Sequence, residues 1–388
     1  MAQRIIVIGA GIAGLATAVA LQQRGYGVTV VEERIDTSSG AGISIWPNAL
    51  AALDRIGLGE PVRDAGGRIT AGAVRWRDGS WLRRPAPERF VKALGEPLVV
   101  VQRSALRDIL TGALAPGTVE YGRSAVAIAT AHNEVRIRLS DDTARTADAV
   151  IGADGTRSVV ACHLNGPLTH RYVGYTAWRG VATYAMDPEL AGETLGPGAE
   201  TGHVPMGAGR LYWFASERAP EGQLSPNGEL PYLQARFADW PEPIPGMLAT
   251  TAPADVLRND LYDRTPARTW AVGPIVVVGD AAHPMRPHLG QGGCQGLEDA
   301  AILGACIDQA SDLPTAFTRF AAFRRRRVQR IVRESALIGK MITLRPSFLS
   351  ATASRATVLV PEAVVTRHIA SVAARSALAL PGSKLRHA

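Results

Sequence analysis

The run Gly9-Ala10-Gly11-Ile12-Ala13-Gly14 constrains this chain more than any other feature. It follows an apolar stretch, Ile5 to Ile8, that reads as a parallel strand buried on both faces. A helical pattern then runs from Ile12 to about Arg24. Gly9 permits a tight turn, Gly11 lets backbone approach a pyrophosphate, and Gly14 lets the helix pack on the strand. The phosphates then sit at the positive end of the helix dipole. A second strand, Val28 to Val31, ends at Glu32, where a carboxylate accepts both ribose hydroxyls and disfavours a 2′-phosphate. A dinucleotide-binding α/β unit is therefore expected.

With 388 residues, the chain suits two domains or one large α/β unit with an insertion. The net charge of +7 raises the question of nucleic acid, but the bases are mostly interspersed. The dense cluster Arg324 to Arg327, with Arg330 and Arg333, has helical spacing and reads as a solvated helix face. Cys162, Cys294 and Cys306 have neither paired nor metal-ligand spacing, so no metal site is indicated. No segment approaches the roughly 18 apolar residues of a membrane span. The expectation is a cytoplasmic protein, monomer or homodimer, without a nucleic-acid partner or membrane attachment.

Along the chain, a hairpin-like stretch surrounds Asp78-Gly79, and Val99 to Gln102 reads as a strand. Ser104 is placed to cap a helix from Ala105 to Leu114. Alternating segments near 119–130 and 134–140 suggest a small antiparallel ribbon closing on Ala149 to Ile151. From about 170 to 271, short strand-like pieces separated by Pro- and Gly-rich turns suggest a separate antiparallel sheet. Ile275 to Val278 is again a buried strand, followed by a helix from Gly296 to about Ala310 and a long one over 314–343. The tail carries one further candidate, Glu362 to Leu380, which reads as a helix docked on the body of the protein.

Two more motifs extend the first. Ile151-Gly152-Ala153-Asp154-Gly155 and Val278-Gly279-Asp280-Ala281-Ala282-His283-Pro284 each place an Asp just past a strand, beside a glycine that allows a sharp turn. Asp280 is positioned to accept hydrogen bonds from the ribityl chain of a flavin. Pro287-His288-Leu289-Gly290-Gln291-Gly292-Gly293 then leads into a helix, and successive N–H groups there can hold the N1/O2 edge of an isoalloxazine.

This ordered set resembles the class A flavoprotein monooxygenases, the family of para-hydroxybenzoate hydroxylase, salicylate hydroxylase and zeaxanthin epoxidase. The resemblance spans residues 4 to about 340. Gly42 to Ala49 and Tyr175 to Gly180 are similar to the branch with salicylate, nicotinate and urate hydroxylases, near the tetracycline-inactivating enzymes. It implies a Rossmann-type FAD-binding domain (1–70, 97–169 and 272–343), an inserted antiparallel β-sheet substrate domain (71–96 and 170–271), and a C-terminal helical segment (344–388). It assigns Gly9, Gly11, Ile12, Ala13 and Gly14 to the pyrophosphate loop and Glu32 to the ribose. Arg103 goes to the FAD phosphate and ribityl region, Asp154 to FAD and NAD(P)H, and Asp280 to the ribityl chain. Pro287, Gly290, Gly292 and Gly293 go to the flavin loop. Glu33 and Arg286 depart from the family pattern.

The implied activity is hydroxylation of an aromatic or polycyclic small molecule by NAD(P)H and O2, through a flavin C4a-hydroperoxide. The flavin loop is expected to act as a hinge. A reductase on the same fold and a non-catalytic flavin-fold binding protein are the alternatives. On the strand Gly209 to Trp213, Arg210 and Tyr212 share one face while Leu211 and Trp213 share the other, so Arg210 and Tyr212 are the candidates for orienting substrate. His283 reads as a structural residue of its loop, with His288 left open as a base. Trp46, Trp178 and Arg179 are candidates for either pocket lining or packing.

Overall fold

A parallel sheet carries the dinucleotide motif at its centre. The structure, a computed structural model, describes residues 2–35, 41–131 and 134–382. The sheet runs Ala271–Val272, Ile275–Val277, Ala149–Gly152, Arg4–Ile8, Gly27–Glu32, Val119–Tyr121. All neighbours are parallel except the first two, which form a hairpin. Ile5, Val7, Val30, Ile151 and Val276 are buried because helices cover both faces of the sheet. Helix Ile12–Gln22 packs between this sheet and helix Gly292–Asp308, and the long helix Leu313–Ile342 lies outside that pair.

The inserted sheet has seven strands, in the order Leu257–Arg264, His170–Thr183, Arg210–Glu217, Ala199–Gly207, Gly192–Gly196, Ala73–Trp76, Trp81–Arg83. Period-2 alternation gives it two different faces. Trp178, Leu211 and Trp213 pack under helices Glu229–Arg236 and Ile244–Ala249. Met206 and Tyr212 point the other way, against Ala41, Ile69, Leu98 and Val100. Those partners belong to or adjoin a three-stranded sheet, Gly42–Ile45, Leu98–Gln102, Gly67–Ile69, which joins the two halves of the molecule. The fold is thus α/β, with a Rossmann-type unit and an inserted sheet that is antiparallel except where Gly192–Gly196 pairs parallel with Ala73–Trp76.

Three local expectations change. Gln102, not Ser104, occupies the N-cap of helix Arg103–Gly112, and no side chain caps it. The helix starts earlier because strand Leu98–Gln102 runs straight into it. Val119–Tyr121 leaves the ribbon and extends the parallel sheet beside Gly27–Glu32. The ribbon itself is a separate three-stranded sheet, Ala125–Ala131, Glu134–Leu139, Ala144–Ala147.

The tail forms two helices, Ser347–Ala356 and Glu362–Ala373, where one was expected. Residues 383–388 of the expected tail segment lie outside the described ones. Among the described residues no single helix is long and apolar enough to cross a membrane. The two tail helices meet that test together, bent by 100° at the break between them.

Candidate active site

The glycine loop is held from three sides. Gly9 has φ +102, and a Cβ there would lie 2.4 Å from the carbonyl oxygen of Ala153, so only glycine fits between the first and second motifs. At Gly14 a Cβ would meet the Gly9 carbonyl at 2.0 Å, whereas at Gly11 it would meet nothing within 4 Å. The loop is therefore tight towards the protein and open at Gly11, the side on which a pyrophosphate would rest. Ile12 is buried beneath it. Ala13 fills the space that Cβ atoms at Gly279 and Gly296 would need, at 2.6 and 2.9 Å, and so joins the first and third motifs. Glu32 accepts the Ala10 N–H at 2.6 Å and the Arg34 N–H at 2.9 Å. Its carboxylate thus braces the loop it was expected to complement. Glu33 is exposed beside it.

Asp154 is used internally. It accepts from the Ser158 hydroxyl at 2.5 Å and from the Val159 N–H at 2.7 Å, capping helix Val159–Asn165 together with Ser158. Burial pushes its carboxyl above the usual range, against the pull of these bonds. Asp280 sits exposed in the Gly279–Ala281 turn, within electrostatic reach of Arg103 and Arg264. Surrounding protein holds the Arg103 guanidinium below its ordinary pKa. Asp280 opposes that shift, while Arg179, Arg107 and Arg34 reinforce it. A concentration of positive charge beside one carboxylate suits the phosphates and ribityl chain of a dinucleotide flavin.

The flavin loop forms a short turn, Pro287–Leu289, and a left-handed Gly290 before helix Gly292–Asp308. A Cβ on Gly290 would lie 2.9 Å from Trp46 Nε1, and one on Gly293 2.8 Å from Ile43. Among the described residues no side chain caps this helix, and Trp46 Nε1 is buried without a hydrogen-bond partner. Uncapped N–H groups beside an orphaned indole N–H form a donor-rich edge, which fits the electron-rich rim of an isoalloxazine.

Beneath that helix lies a charged lattice that the sequence reading missed. Arg324 is not on a solvated face: it is fully buried, donating to Glu298 at 2.6 Å and to Asp299 at 2.7 Å. Arg327 also reaches Glu298, while Arg325, Arg326, Arg330 and Arg333 are exposed as expected. Asp299 in turn accepts from the Gly279 N–H at 2.8 Å and pairs with His283 Nε2 at 2.7 Å. His283 is therefore structural, as its loop position suggested. Asn48 donates to Gln291 and Glu298, tying the helix start to the Trp46 segment. The signal was present in Leu297-Glu298-Asp299-Ala300-Ala301, two adjacent acids within an otherwise apolar helix. Such acids need buried cations.

The inserted sheet meets this loop through one face. The alternation expected for Arg210 and Tyr212 is observed. Tyr212 packs on Gly42, where a Cβ would be 2.4 Å from the ring, and Arg210 donates to Gln102 at 3.0 Å. Burial raises the Tyr212 phenol, with Arg179 and Arg103 near enough to counteract. Cross-strand register puts Phe214, Arg179, Gly202 and Glu193 on the same face. Arg179 donates to Asn259 at 2.7 Å. Trp178 points away, its indole bonded to Glu229 at 2.6 Å.

His288 is a junction. Its Nε2 bonds the Tyr175 hydroxyl at 2.5 Å and its Nδ1 lies 3.2 Å from Glu200, so both ring nitrogens engage the inserted sheet. Arg286, the charge that departs from the family pattern, is buried and clasps Asp263 through two bonds of 2.9 and 2.6 Å. The two residues flanking Pro287 therefore anchor the flavin loop to strands of the other sheet.

A strand-centred glycine loop, two Asp-bearing glycine turns and a helix start beside a sheet face that carries Tyr212 and Phe214 are the features of a flavoprotein of the FAD-binding monooxygenase type. The chain matches the FAD binding domain family over residues 2–335 and belongs to it. Aurachin C monooxygenase/isomerase of Stigmatella aurantiaca is 35% identical over 341 residues, 87% of this chain and 89% of that protein. The FAD-dependent urate hydroxylase of Mycolicibacterium vanbaalenii is 31% identical over 340 residues, covering 85% and 86%. The crystal structure of Klebsiella pneumoniae HpxO complexed with FAD and uric acid superposes with a TM-score of 0.89 at 26% identity, covering 95% of this chain and 96% of that one.

Proposed function

We propose that this chain is an FAD-dependent monooxygenase that uses NAD(P)H and O2 to hydroxylate an aromatic or polycyclic small molecule. The observation that carries the reading is the junction of the flavin loop with the inserted sheet. His288 and Arg286 bind that sheet directly, and the sheet turns an aromatic face, Tyr212 and Phe214, towards the flavin side. Bound there, FAD supplies the electron transfer from nicotinamide and the activation of O2.

The chain's own groups do the rest. Gly9, Gly11, Ile12, Ala13 and Gly14 form the pyrophosphate cradle. Arg103 and Asp280 serve the phosphates and ribityl chain, with Pro287, Gly290, Gly292 and Gly293 shaping the loop at the ring. Tyr212 packed on Gly42 keeps water out from one side. Arg210 and Tyr212, with Arg179 between the two sheets, orient the substrate. Asp154 serves FAD and NAD(P)H indirectly, by fixing the turn against which Gly9 packs.

The test is NAD(P)H oxidation in air by the FAD-loaded protein, over phenols, heteroaromatics and tetracyclines, with O2 uptake and peroxide followed together. Stimulation by one compound with matching O2 uptake, little peroxide and a hydroxylated product supports the reading. Product formation that continues without O2 would replace it with a reductase.

A further inference from the structure

The tail helix Ser347–Ala356 is built inside out. It buries Ser350 and Ser354 against the body of the protein and turns Phe348 (64% exposed) and Leu349 to solvent. Ser350 donates to the Ile342 carbonyl and receives the Gly198 N–H, so the serine face is the docked one. Beyond it, Val358, Leu359 (84% exposed) and Val360 continue the outward apolar surface into Val364 of the next helix. Leu337, near the end of helix Leu313–Ile342, and Leu344, just past its C-cap Thr343, lead into it from the other side. Single exposed apolar residues are ordinary, but so many in one stretch of chain mark an interaction surface.

Its charge identifies the partner. Residues 336–382 contain five bases (Lys340, Arg345, Arg355, Arg367 and Arg375) and one acid, Glu362. That acid is already paired with Arg83, while Arg355 is paired with Asp78 and Arg375 with Asp54 and Glu96, which leaves Lys340, Arg345 and Arg367 as the exposed bases of this surface. A two-fold pairing of this surface with a second copy would set bases against bases. An anionic bilayer complements both features: headgroups take the cations and the acyl boundary takes Phe348, Leu349 and Leu359. The bend of 100° between the tail helices suits a wedge lying in the interface rather than a span. We infer that the C-terminal helices dock this protein reversibly on anionic lipid surfaces. The docked face adjoins the inserted sheet: Gly198 lies between its strands, and Ala351 packs beside Leu195, Trp76 and Leu82.

The experiment is flotation of the FAD-loaded full-length protein with vesicles of phosphatidylglycerol or phosphatidylcholine, at low and at high salt. Binding to phosphatidylglycerol at least ten-fold tighter than to phosphatidylcholine, weakened by salt, is expected. The double variant Phe348→Ser, Leu359→Ser should lose ten-fold or more of that binding while retaining its FAD absorbance, because both side chains are exposed. Three results would overturn the inference: no binding to phosphatidylglycerol, equal binding by the variant, or a dimer in solution that the variant dissolves. None depends on knowing the substrate.

Discussion

At the scale of single residues, the inserted sheet contains one acid out of place. Glu193 lies half-buried on the face that carries Tyr212 and Phe214, across from Gly202, and burial together with the nearby Glu200 pushes its carboxyl up to about 8 from 4.5. Between those values the folded protein holds a proton that the unfolded chain has released, so this group's contribution falls as pH rises through that window. Glu193→Gln should therefore be more stable than the parent at pH 8.5, by about 1 to 2 kcal/mol, and level with it near pH 4.5. Urea denaturation at the two pH values checks this, and an unchanged difference between them would refute it. Gly9→Ala carries the opposite expectation. The new methyl meets the Ala153 carbonyl at a backbone angle alanine resists, so FAD retention should drop by at least about ten-fold, read by flavin fluorescence.

At the scale of elements, helix Gly292–Asp308 offers uncapped amides at one end and roots two acids in the core at its centre. Arg324→Met removes the cation and leaves Glu298 and Asp299 short of a partner, a loss of about 3 to 5 kcal/mol. Because Asp299 also holds the Gly279 amide, flavin affinity should fall with stability, and Arg324→Lys should restore little of either. Thermal melts and FAD titration of the two variants test this. The lattice also shows where reading the sequence reached its limit. The strands and glycine turns were legible because their periodicity and spacing are local. A run of arginines looks the same whether its third-dimension neighbours are water or carboxylates, so Arg324 could not be separated from Arg325. The tail helix Ser347–Ala356 escaped for a related reason: its apolar residues do not mark its buried side.

Across the whole molecule, the two halves joined by the three-stranded sheet are also held by a few polar clasps near the flavin loop. Arg286 binds Asp263, His288 binds Tyr175 and Glu200, and Arg264 donates to the carbonyls of Thr156, Asp280 and Ala282. If this loop is the hinge of the reaction, those clasps set how its position follows the state of the inserted sheet. Arg286→Ala should then raise NAD(P)H oxidation in the absence of substrate by several-fold, with peroxide as the product. A stopped-flow comparison of flavin reduction with and without substrate would show the difference shrinking, and unaltered coupling would argue that the clasp is scaffolding alone.

On the proposed function, helix Gly292–Asp308 meets the cofactor as well as anchoring the core, so occupancy and folding are linked equilibria. Each ten-fold increase in free FAD above its dissociation constant should add about 1.4 kcal/mol to stability, for a ligand that binds only the folded chain. Dilution would act on this protein as a mild denaturant, and the midpoint of its melting curve would serve as a gauge of how much cofactor its surroundings contain.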